Sequence, residues 1–218
     1  MPSKYARKSE VIKSRKIYIC CEGEKTEPNY FNGLIDYLKL SEAKVYIIDK
    51  AGGCSSPKHV FEAVETEIKE LKKMRQYLGV EEFWLVMDVD KWNGQLNEVI
   101  AQCHNKKHLF TAISNPCFEV WLYYHKFKEK PNFVDMHLSA AWKEYIDGIF
   151  PGGFDSRKHP IFIYEAITNA KENFMSENSS PRFCSTEVCF LAEKFYPYVK
   201  EEINRARQML SGTQSDLF

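Results

Sequence analysis

The chain has 218 residues, 44% hydrophobic and 28% charged, a balance that excludes a disordered or membrane-embedded protein and leaves room for one elaborated domain. Thirty basic residues offset thirty acidic ones, so no global field attracts a polyanion and any phosphate site must come from local clustering. The seven cysteines include no CxxC pair, and Cys103, His104 and His108 lack a second ligand pair, which argues against a disulfide framework and a zinc module.

Residues 1–16 read as a basic leader, with Lys4, Arg7, Lys8, Lys13, Arg15 and Lys16, either solvated or touching phosphates. No signal-peptide core and no membrane-length apolar run are visible, so a cytoplasmic protein without membrane contact is expected. Lys16–Cys21 is β-branched and aromatic and stops at Gly23, as a short buried strand should. Thr26 is expected to cap the following helix, with Glu27 and Pro28 in its first turn and Tyr30, Phe31, Leu34, Ile35 and Leu38 on its apolar face.

The unit recurs. Val45–Ile48 reads as a second strand, Gly52 and Gly53 as a loop, and 57–78 as a long helix. Phe83–Met87 is unalternating and apolar, as in a parallel sheet covered on both faces; a helix near 96–103 and a fourth strand, Leu109–Ile113, follow. Pro116 then opens a helix. Alternating strands and helices imply right-handed crossovers and an α/β fold: an open, mainly parallel sheet of about four strands over residues 17–128. Beyond 129 the strand signal fades. Helices near 135–147, 161–175, 185–196 and 198–210 form a helical C-terminal extension packed on the core, and 211–218 reads as a flexible tail.

In an open parallel sheet ligands bind outside the carboxyl ends of the strands, so residues just past a strand are the first functional candidates. The first strand ends at Glu22, followed by Glu24, Lys25 and Glu27; the third ends at Asp88, followed by Asp90 and Lys91. Asp88 and Asp90 share one side of an extended segment, and hard carboxylate oxygens suit magnesium or manganese. Gly23 allows close backbone approach before a helix N-terminus, and Lys25 and Lys91 stand where charge on a phosphoryl group would develop. Glu119 and His125 fall on the helix after the fourth strand, the histidine either packed in the core or acting as a base. Arg157 and Lys158, in a loop bounded by glycine and proline, either stay exposed or fold over the acids to meet substrate phosphates.

The stretches Ile19–Phe31, Val86–Asp90 and Ser114–Leu122 with His125 resemble the RloB-like family, a group classed with Toprim domains and encoded near phage-defence genes. Val89 between the acids and Arg182–Thr186 at the C-terminal block depart from the family pattern. Toprim domains carry one Glu after the first strand and a DxD after the third, positions occupied here by Glu22, Asp88 and Asp90. The resemblance implies a Toprim-like core and magnesium-dependent phosphodiester cleavage of DNA or RNA, in abortive infection alongside a partner ATPase. Glu24, Glu27, Glu119 and His125 are candidates for a further ligand or proton carrier. A non-cleaving nucleotide- or nucleic-acid-binding sensor of an ATPase complex is the competing reading, nucleotidyl transfer ranks last, and self-association into a homo-oligomer is compatible with either of the first two.

Overall fold

The computed structural model describes residues 14–39, 42–50, 55–89, 93–131 and 139–210. Four parallel strands, β1 (Arg15–Cys21), β2 (Ala43–Ile47), β3 (Glu82–Asp88) and β4 (Leu109–Asn115), lie in the order β2-β1-β3-β4, so the chain is α/β as expected. A fifth strand, β7 (Ser185–Thr186), joins the edge antiparallel to β4, with Ser114 opposite Thr186 and Asn115 opposite Ser185. That strand is two polar residues long, and long-range pairing rather than apolar patterning creates it. Glu187 extends the pairing: its N–H donates to Ile113 O at 2.7 Å and its carboxylate accepts from Ile113 N at 3.0 Å.

Side chains alternate across the sheet and fill two layers. Ile17, Ile19 and Cys21 of β1 with Trp84 and Val86 of β3 face one cluster, covered by α1 (Thr26–Ile35), α4 (Glu119–Tyr123), α5 (Ser139–Ile149), α6 (Ile163–Glu172) and α7 (Val188–Leu210). Tyr18, Cys20, Phe83, Leu85 and Met87 face the other, under α2 (Pro57–Lys73) and α3 (Asn93–His104). A single cluster therefore runs from the sheet through the helices beyond residue 129.

Three local expectations change. Thr26 is the first helical residue and gives no side-chain cap; Lys25 precedes it, and the Glu27 carboxylate takes its own backbone N–H instead. The two expected C-terminal helices are one, because buried Phe195, Val199 and Ile203 hold both sides of Pro197 on the same cluster despite the bond the proline removes. The helix from Pro57 stops at Lys73, and Arg75 takes a left-handed φ of 57° just after it. A short β5–β6 hairpin, Ser176–Glu177 paired with Ser180–Pro181, stands between α6 and β7. Among the described residues no helix is long and apolar enough to cross a membrane.

Candidate metal and phosphate site

The helix after β1 packs on one face of the sheet and the helix after β3 on the other. Chain connections thus diverge between these neighbouring strands, and a crevice opens at their carboxyl ends. Glu22 and Asp88 stand on its two sides.

The β1–β3 ladder breaks at this point in an informative way. Glu22 N still donates to Val86 O at 2.8 Å, so in a regular parallel ladder the Asp88 N–H would go to the Glu22 main-chain carbonyl. It goes instead to the Glu22 carboxylate, Oε2 at 3.2 Å, while the Glu22 carbonyl accepts from Lys50 Nζ, just past β2. The peeling strand end is satisfied by a side chain, and the Glu22 carboxylate is fixed against the Asp88 backbone.

A cleft of about 620 Å³ lies over this pair, lined also by Gly23, Glu24, Lys25, Thr26, Glu27, Ser55, Glu119 and Lys143. Glu22, Glu27 and Glu119 are only 7%, 8% and 5% exposed, so three acids crowd one poorly hydrated space. Burial pushes the Glu27 carboxyl above its ordinary range, with Glu119 adding repulsion, while its own N–H, Lys143 and Lys50 pull the other way. A Cβ on Gly23 would overlap the Glu27 carboxylate, so a larger residue here would push that carboxylate from its place. Ser55 adjoins the Ser56 cap of α2, where the Ser56 hydroxyl accepts from His59 N at 3.4 Å, and Thr26 begins α1; two helix N-termini therefore meet the cleft.

The donors fit a hard divalent cation in kind: all are carboxylates, crowded enough for a cation to relieve their repulsion. Among the described residues no group of three or more His, Cys, Asp or Glu already stands in position to hold a metal ion. Asp90 and Lys91 lie outside the described residues.

The expected site residues thus divide. Glu22, Glu24, Lys25, Glu27, Asp88 and Glu119 come together around one cleft. His125 does not join them: its ring is buried, with Nε2 3.0 Å from Tyr30 Oη, Nδ1 3.1 Å from Trp121 O, and Phe154 beside it. Burial lowers its pKa to about 3, so it is a neutral core histidine, and the expectation of a base is corrected. The Arg157–Lys158 loop is a second correction. Tyr37 Oη donates to Arg157 O and the Ser156 carbonyl packs on Gly33, which ties the loop to the C-terminal end of α1, opposite the end at the cleft. Both cations pair with Asp155 there.

Lys50, Ser55 and Lys143 were missed. Lys50 follows β2 and the strand-end rule reaches it; Lys143, on α5, carries no sequence sign of its place, because only tertiary packing brings that helix to the cleft. No curated protein and no solved structure matches the chain. The family model described as RloB-like protein does match, over residues 17–195 from β1 into α7, and the chain belongs to the RloB-like family.

Proposed function

We propose that the chain is a magnesium- or manganese-dependent nuclease with a Toprim-type site, cleaving phosphodiester bonds of DNA or RNA. The supporting observation is the locked pair at the crevice, with the Glu22 carboxylate bonded to the Asp88 N–H on neighbouring strand ends under a cleft rimmed by lysines. Glu22 and Asp88 would hold the ion, with Asp90 as third ligand. A bound divalent cation supplies Lewis-acid activation of water and of the phosphoryl group.

The chain's own residues do the rest. Lys25 and Lys143 draw the phosphate in, and the α1 and α2 N-termini offer backbone N–H groups and positive dipole ends to its oxygens. Glu27 and Glu119, buried in the lining of the same cleft, would serve as further ligand or proton carrier. From the family resemblance we extend the proposal to a cytoplasmic defence effector that works with a partner ATPase.

Incubating the purified protein with plasmid, single-stranded DNA and tRNA, with and without magnesium, tests the activity. Metal-dependent degradation of any of them supports a nuclease. Binding without degradation would favour the non-cleaving sensor.

A further inference from the structure

Lys50 stands just beyond β2, and the sheet register decides what it meets. Ile19 of β1 is paired with Ile47 of β2, and Ile48 N donates to Ile19 O at 2.7 Å, so the end of β2 is fastened to β1. Carried on at the same offset, that register sets Lys50 beside Glu22, and the Lys50 ammonium donates to the Glu22 main-chain carbonyl. The lysine lines a hollow of about 200 Å³ on the β2 side, with Gly23, Glu24 and Asp49, rather than the cleft over Glu22 and Asp88.

The position matters because two Glu22 acceptors compete for one donor. The Asp88 N–H has a single hydrogen to give, and a regular parallel ladder would give it to the Glu22 carbonyl. With Lys50 on that carbonyl, the N–H goes to the Glu22 carboxylate instead. Without Lys50 the carbonyl would lose a charged donor in a residue only 7% exposed, where a missing hydrogen bond is costly. The nearest replacement is the Asp88 N–H, and the ladder would close by one bond and release the carboxylate.

We propose that Lys50 is a positioning residue for the metal site: by occupying the Glu22 carbonyl it keeps the β1–β3 ladder open at Asp88 and the Glu22 carboxylate fixed where the cation binds. The inference rests on the metal-dependent reading of the cleft. A lysine acting only through its charge would have the opposite effect, since a fixed cation repels a second one and its neutralisation would tighten metal binding. Positioning and charge therefore differ in sign.

The test is calorimetric titration of manganese into the metal-free full chain, for wild type, Lys50→Met and Lys50→Arg. Lys50→Met keeps the length of the stem and removes the donor; its Kd for manganese should rise about tenfold or more, the usual cost of losing a group that orients a metal ligand. Lys50→Arg keeps a charged donor and should stay within about threefold of wild type. A crystal structure of metal-free Lys50→Met should show the Asp88 N–H moved to the Glu22 carbonyl. In cleavage assays the same variant should raise the magnesium needed for half-maximal rate and leave the oligonucleotide KM within about twofold, because Lys50 does not touch substrate.

Manganese binding in Lys50→Met as tight as in wild type or tighter, an Asp88 N–H still on the carboxylate, an arginine variant as weak as the methionine one, or a raised KM with an unchanged magnesium requirement would each overturn the role. The two readings fail separately. A protein whose manganese affinity depends on Lys50 but which cuts nothing keeps the positioning role and loses the nuclease. One that cuts with magnesium and is indifferent to Lys50→Met does the reverse.

Discussion

Glu187 lies at the junction of β7 and α7 with its carboxyl turned in against β4, where Ile113 N–H and the Thr111 hydroxyl both donate to Oε2. Burial outweighs those bonds and raises its pKa from 4.5 to about 7. Between those values the folded protein holds a proton that the unfolded chain has released, so stability falls as pH rises through that window. At about 1.4 kcal/mol per pH unit the full penalty is about 3 kcal/mol, complete above the folded value. Glu187→Gln cannot ionise and keeps an oxygen able to accept both bonds. Its stability relative to wild type should therefore grow by about 2.5 kcal/mol between pH 5 and pH 8, read as urea unfolding free energies across that range. Taking the difference between proteins matters, because buried His125 tilts the raw curve oppositely: held neutral with a pKa of about 3, it withdraws stability as pH falls below 6.5. A difference that stays flat with pH, or a variant penalised more at pH 8 than at pH 5, would refute the reasoning.

His125→Gln should remove that acid-side loss, about 2 kcal/mol at pH 5 relative to neutral pH, and an unchanged acid slope would place the sensitive group elsewhere. Gly33→Ala sets two effects against each other. Helix propensity favours alanine by about 1 kcal/mol, but the Ser156 carbonyl occupies the place of the new Cβ, so a net loss of about 2 kcal/mol is expected in urea unfolding, and a stabilised variant would show that the loop gives way freely. In cleavage assays Lys143→Ala should cost about tenfold or more, whereas the double change Arg157→Ala, Lys158→Ala at the far end of α1 should leave the rate within about twofold; the reverse ranking would contradict the placement of both.

The strand–helix units were legible because β1, β3 and β4 are apolar on both faces, and the strand-end rule then led to Glu22 and Asp88 without any contact information. What stayed hidden depends on partners distant in sequence. β7 exists only because Ser185 and Thr186 meet the end of β4, and Pro197 fails to end α7 because the cluster beneath it is continuous. His125 looked the same in sequence as a catalytic imidazole; its neutral state follows from burial, which the helices α1 and α4 folding together around it bring about. Which of the two readings of the Arg157–Lys158 loop holds was hidden for the same reason, since charge and turn residues say nothing about which end of α1 they will meet.

Cleavage and thermal melting of wild type and Asp88→Asn, each with magnesium and with EDTA, test the metal site most directly. Asp88→Asn takes one charge out of the cleft that Glu22, Glu27 and Glu119 also line, so it should abolish magnesium-dependent cleavage while melting in EDTA at the wild-type temperature or slightly above. The bond that Glu22 accepts comes from the Asp88 backbone and survives the substitution. A variant that still cuts, or one that melts much earlier in EDTA, would show Asp88 to be a structural aspartate and contradict the metal-dependent nuclease.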